Sequence, residues 1–141
     1  MKDRSLDAYK ARIHQAVPIA GHLGLYAEYL GDGEATLIMP FGAHLSRPPQ
    51  VVSGPALMGL ADFAMGAAVH TCFEYDVTVL TADMNIHFVR KAVACDIRAF
   101  AKVLKSGKTL SVTEVKMVDA ATGDLVAHAT ASFAVQPQNQ S

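Results

Sequence analysis

The sequence is poor in cysteine and in charge, and it has no long run of one sign. Its two cysteines, Cys72 and Cys95, cannot build a disulfide framework. The opening MKDRSLDAYK is polar where a signal peptide needs an apolar core, so a reducing, cytoplasmic location is expected. Charged residues make up only 18% of the chain and the formal net charge is -1, with lysines and arginines scattered rather than gathered into a stripe. Nucleic acid is therefore not the expected partner. His14, His22, His44, His70, His87 and His128 show no i, i+4 pair on a helix and no neighbouring cysteine pair, so no metal site is expected. There is no phosphate-cradling glycine loop, no serine elbow, no internal repeat and no low-complexity tract.

What the chain does have is apolar surface to bury. Apolar residues make up 51% of its 141 positions, which predicts one packed domain over residues 1–141. Leu6, Tyr9, Ile13 and Ala16 recur at spacings of three and four, predicting an N-terminal helix over Ser5 to Val17 that acts as a lid or edge element before Pro18. Leu23 to Leu30 and Glu34 to Met39, joined by Gly31-Asp32-Gly33, read as a hairpin.

Ser53 is placed as an N-cap and Pro55 fits a first helical turn, so a helix is predicted from there to about Phe73. It is apolar nearly all round, which calls for a buried helix wrapped by a curved sheet. The stretch Val51 to Phe73 is not read as a membrane span, because Asp62, Pro55, Gly54, Gly59 and Gly66 interrupt it.

Four further strands are predicted. In the first, Leu80, Ala82, Met84, Ile86 and Phe88 alternate with Thr81, Asp83, Asn85 and His87. Ile97 to Leu104 and Leu110 to Val118 flank the turn Lys105-Ser106-Gly107-Lys108, and Ala121-Thr122-Gly123-Asp124 leads into Leu125 to Val135. The consecutive hairpins imply a mostly antiparallel sheet, hence an α+β fold, with residues 136–141 as a frayed tail.

Asp62 is the only formally charged side chain between Arg47 and Glu74, and it falls in the middle of the apolar helix. An unpaired buried carboxylate is costly, so such a residue has either a structural partner or a chemical task. Cys72, at the end of the same helix, reads as plain core rather than as a nucleophile.

The stretch from Val52 to Gly66, VSGPALMGLADFAMG, resembles the helix signature of hotdog-fold thioesterases of the phenylacetyl-CoA thioesterase (phenylacetic acid degradation) branch. Thr81 to Ala92 is similar to that branch's long central strand, and Val103 to Leu110 with Gly123 to Ala127 resembles its final hairpins. The resemblance runs in order from about Ile19 to Val135. It implies a hotdog fold, a curved antiparallel sheet around one long buried helix, and hydrolysis of an acyl-CoA thioester with no cofactor beyond the substrate's own CoA. It also implies a homodimer, assembled further into a dimer of dimers, with sites at the subunit interface.

By the same resemblance the Gly54 amide is the oxyanion donor, Asp62 of the facing chain is general base or nucleophile, and Thr81 holds the water or the acid. The interface location agrees with helix geometry. Gly54 and Asp62, eight residues apart at ~1.5 Å per residue, stand about 12 Å from each other on one chain and cannot serve one carbonyl. Ser46, Ser53, Arg90, Lys105, Gly107 and Lys108 are the implied substrate-binding residues, the basic ones for the anionic CoA handle.

The chain departs from the branch at the helix start. Ser53-Gly54-Pro55 stands where the branch has His-Gly-Gly, and Ser46 or Arg47 stands near its asparagine. Two alternatives therefore stay open: an acyl-CoA-binding protein that does not cleave, and an enoyl-thioester hydratase, for which His44 is the nearest histidine upstream of the acid.

Overall fold

The computed structural model describes residues 5–73 and 77–137; the first four residues and residues 138–141 of the expected tail lie outside the described residues. Helix α1 spans Leu6–Ala16 and is capped by Ser5, whose side chain accepts a hydrogen bond from the Ala8 amide at 3.1 Å. A short helix α2, Ile19–Leu23, follows and ends at Gly24 in the left-handed region (φ 70°). Five residues are too few to show a helical period, which is why the sequence reading assigns no element to residues 19–22 and begins the first strand at Leu23, inside this helix. The first hairpin is β1, Tyr26–Gly31, and β2, Glu34–Met39. Its two-residue turn, Asp32-Gly33, has both φ angles positive (54° and 77°), the primed geometry that matches the twist of the flanking strands.

A single 3-10 turn, Ala43–Leu45, leads to a two-stranded ribbon of β3, Ser46–Arg47, and β4, Val51–Val52. Helix α3, Gly54–His70, then runs through the centre. Ser53 is its N-cap, as expected, but it stops three residues short of Phe73. There the Thr71 hydroxyl donates to the Ala68 carbonyl at 2.7 Å and accepts from the Gly33 amide at 2.8 Å, tying the helix end to the first hairpin.

Strands β5, Val77–Phe88, β6, Ile97–Ser106, β7, Leu110–Asp119, and β8, Leu125–Pro137, complete a six-stranded sheet in the order β1-β2-β6-β7-β8-β5. Every neighbouring pair is antiparallel. The sheet wraps α3, and Leu60, Met65 and Val69 of the helix are fully buried with Leu37, Ile97, Val115 and Met117 of the strands. This is the hotdog architecture, α+β as the sequence predicts.

Strand β5 differs from its prediction in an informative way. Its apolar letters alternate without a break, yet the pairing with β8 slips between Thr81 and Asp83, leaving Ala82 as the extra residue of a bulge. Before the bulge the odd positions face α3: Val77 is buried and Val79 packs on the core. After it the even positions Met84 and Ile86 do so, while Leu80 is 55% exposed. The regular alternation is thus two half-patterns in opposite phase.

Phe133 of β8 lies in the core with its ring against the α3 backbone at Gly66, and is 2% exposed. Phe133→Ala is expected to destabilise the fold by about 3–5 kcal/mol through lost burial and a residual cavity, measured as a lowered midpoint in urea unfolding; a change below about 1 kcal/mol would contradict this packing.

Candidate active site

Asp62 is not sealed in the core. The sheet covers α3 on several sides but leaves one face, carrying Gly59, Asp62, Phe63, Gly66 and His70, to line a cleft of about 560 Å³. Helix α1 roofs this cleft with Tyr9, Ile13 and Ala16, and β5 walls it from Val77 to Thr81. Asp62 is half-buried there, so the expectation of a carboxylate sealed in an apolar helix is corrected. An all-round apolar sequence does not say which face the sheet leaves open.

Thr81 meets Asp62 directly. Its hydroxyl donates to Oδ1 at 2.5 Å, across the bulge that turns β5's phase. In a strand kept regular in the phase of Met84 and Ile86, the Thr81 hydroxyl would face away from α3. Asp62 thus lines a mostly apolar cleft, to which Thr78 and His70 add further polar side chains. Burial pushes the Tyr9 phenol well above its usual range, so the roof presents a neutral hydroxyl on an aromatic ring.

Gly54 lines a different cleft, of about 380 Å³, together with Arg47, Phe88, Arg90 and Lys91. Helix geometry singles out its amide. Pro55 has none, the Ala56 amide goes to Ser53 Oγ at 3.4 Å and the Leu57 amide to the Ser53 carbonyl at 3.1 Å, so Gly54 holds the first-turn N–H that the helix itself does not use. It stands at the positive end of α3 with three cationic side chains around the same opening. Arg90 also lies 3.7 Å from Asp124, both well exposed, a contact worth little in itself.

The remaining sequence candidates are placed as follows. Ser46 opens strand β3 and donates to the Ala43 carbonyl at 2.9 Å, next to Arg47 of the Gly54 cleft. Ser53 is the N-cap of α3. Lys105, Gly107 and Lys108 sit at the tip of the β6–β7 hairpin and line neither cleft of this chain. A side chain at Gly107 would collide with the Leu110 carbonyl oxygen, which accounts for glycine there by packing. Lys91 was missed, its only signal being its place beside Arg90 at the end of the long strand, and Arg47 was noted near the branch's asparagine but not as a binding residue.

Cys72 is exposed in the turn after α3, not core, because the helix ends before it. Cys95 is half-buried, and burial followed by the charge of Asp119 pushes its thiol up to about 11, which suppresses the thiolate. His44 bonds the His22 carbonyl at 2.9 Å, and His128 pairs with Glu114 at 3.0 Å; neither lines the Asp62 cleft. Among the described residues no helix is long and apolar enough to cross a membrane.

Comparison with known proteins bears on the fold and the family. The sequence profile of the thioesterase superfamily matches residues 49–126, which include α3 and strands β5 to β7. A conserved Pseudomonas aeruginosa protein of known structure, PA5202, is 32% identical, with 89% of this chain and 98% of that one covered and a TM-score of 0.80. The Haemophilus influenzae thioesterase HI1161 superposes with a TM-score of 0.87 at 19% identity, covering 99% of this chain and 96% of that one, a likeness of fold alone. A Thermoplasma volcanium protein, TV1331, provisionally named an esterase, is 28% identical over 92 residues, 65% of this chain and 68% of that protein.

Ser53→Ala removes the cap that orients the first turn of α3. It is expected to cost about 1 kcal/mol, read as a melting temperature lower by a few degrees; an unchanged melting temperature would mean that the cap contributes nothing.

Proposed function

Because this chain belongs to the thioesterase superfamily, we propose that it hydrolyses acyl-CoA thioesters at sites shared between two copies of itself. The observation that carries this reading is the separation of the two half-sites. One cleft holds an acid and an apolar lining, the other an unspent helix amide and three cations. An acyl-CoA has complementary halves: an apolar acyl group, a carbonyl that becomes an oxyanion, and an anionic phosphate-bearing handle. A substrate with its handle and carbonyl oxygen in the Gly54 cleft of one subunit and its acyl group in the Asp62 cleft of the other uses every one of these features.

The pairing of subunits has support in the sheet. Strand β5 is an edge strand twelve residues long, with Leu80 and Phe88 both at least half exposed. A long edge of this kind is unprotected unless another strand pairs with it. Both clefts border β5, the first at Phe88 and the second at Val77 to Thr81, so a partner joined there brings the clefts of the two chains towards each other. The site needs two subunits and no more.

Asp62 then accepts a proton from a water molecule as the water oxygen attacks the thioester carbon. The carbonyl oxygen takes up the negative charge, stabilised by the Gly54 amide and the α3 dipole. Collapse breaks the C–S bond, and the proton held on Asp62 passes to the departing CoA sulfur. Thr81 orients the carboxyl group throughout, and Arg47, Arg90 and Lys91 hold the handle. The loss of a second glycine amide at Pro55 leaves one donor in place of two at the helix start. That difference matches the departure of Ser53-Gly54-Pro55 from the branch, and phenylacetyl-CoA itself remains one candidate substrate within the class.

Two outcomes are expected when free thiol release is followed over a panel of acyl-CoA substrates. Asp62→Ala should lower turnover at least about a hundredfold, and Thr81→Val, which keeps the shape but removes the donor, about tenfold. An Asp62→Ala protein as active as the wild type would sink the mechanism. Tight binding of acyl-CoA with no turnover by the wild type would favour the non-cleaving alternative.

A further inference from the structure

Gly66 is a residue the fold does not require. It lies in the body of α3 with a helical backbone that any residue adopts, and glycine is the poorest helix former after proline. Packing does not explain it either. A methyl group at Gly66 would have one described neighbour within 4 Å, the Phe133 ring at 3.6 Å, an ordinary contact distance. Gly59, on the same helix face, is different, because a methyl there would press on Leu23 at 2.9 Å. Gly66 faces the Asp62 cleft one turn beyond the acid, so the space a side chain would fill is cleft space.

We propose that Gly66 sets the length of acyl group this protein accepts, by keeping open the stretch of cleft that runs along α3 from Asp62 towards His70. This rests on the thioesterase reading. With the thioester carbon at Asp62, an acyl chain entering the cleft crosses Gly66 after about 6 Å and reaches His70 after about 12 Å, at ~1.5 Å of rise per residue. An extended chain of roughly eight to ten carbons spans that distance, given carbon–carbon bonds of ~1.5 Å in a zigzag. Phe63 and Phe133 wall this stretch and Tyr9 covers it, so a medium-length alkyl chain or a single aromatic ring lies between apolar surfaces. The substrate class is medium-chain acyl-CoA or arylacyl-CoA. A larger side chain at position 66 confines the site to short acyl groups.

The test compares wild type, Gly66→Ala and Gly66→Leu on acetyl-, butyryl-, octanoyl- and phenylacetyl-CoA, and also measures their affinity for non-hydrolysable S-ethyl- and S-octyl-CoA thioethers. For Gly66→Leu the octanoyl-to-acetyl ratio of kcat/KM should fall at least about thirtyfold, and the preference for the S-octyl over the S-ethyl thioether should fall in step. Gly66→Ala should raise the melting temperature while shifting the ratio in the same direction by less, which shows that the helix itself gains nothing from glycine. Equal ratios in wild type and Gly66→Leu, or a melting temperature lowered by Gly66→Ala, overturn the inference. The thioether series decides it even if no substrate is cleaved, and in that case the hydrolytic reading fails on its own. Should Gly66→Leu not fold, the ratio for Gly66→Ala decides, with no shift as the contradicting result.

Discussion

The arrangement depends on one packing constraint: a helix that is apolar on nearly every side lies in a sheet of six strands that does not close around it. Leu60, Met65 and Val69 are satisfied by the strands. The face with Asp62, Phe63 and Gly66 is left to a thin roof from α1 and to β5, the edge of the sheet. Each main feature of the candidate site follows from that incomplete cover. The acid can reach both solvent and an apolar cavity, Thr81 can reach the acid, and the open edge of β5 invites a second chain.

Local chemistry then sorts the two ends of α3 into different roles. At the N-terminus the side chain and carbonyl of Ser53 consume two amides and Pro55 contributes none, so the helix presents one N–H beside Arg47, Arg90 and Lys91. Positive charge and an unspent donor suit a phosphate-bearing, oxygen-centred ligand. Two turns on, the surroundings are Phe63, Tyr9 and Val79 with a single carboxyl group, which suits an apolar group attached to a reactive carbon. The rise of the helix keeps these environments apart on one chain, and a two-fold axis can bring them together on two.

Much of this was legible in the sequence, and the failures have physical reasons. The Ser53 cap, Pro55, and the hairpin turns marked by glycine gave the elements and their antiparallel order. Asp62 was visible because it is the lone charge in an apolar stretch. Its degree of burial was not visible, since Phe63 and Gly66 look as apolar as Leu60 and Ala64 whichever face the sheet covers. The bulge at Ala82 was hidden because alanine continues the apolar alternation that the bulge breaks, so the pattern alone groups Leu80 with Met84 on one face. Arg47 and Lys91 join in one cleft only because β3, β4 and the end of β5 come together around the start of α3. That meeting joins residues over forty positions apart, which no local pattern records.

The claim at the centre is that each site draws its acid from one subunit and its helix amide from the other. Two variants that each lack one half test it: Asp62→Asn, and Gly54→Val, whose branched side chain would fill the gap towards Phe88 and cover the amide. Each alone should be nearly inactive. Mixed in equal amounts and allowed to exchange subunits, they should recover about a quarter of wild-type thiol release, because half the dimers are mixed and each mixed dimer has one intact site. Mixtures no more active than the separate variants, under conditions where exchange is demonstrated, would contradict a shared site.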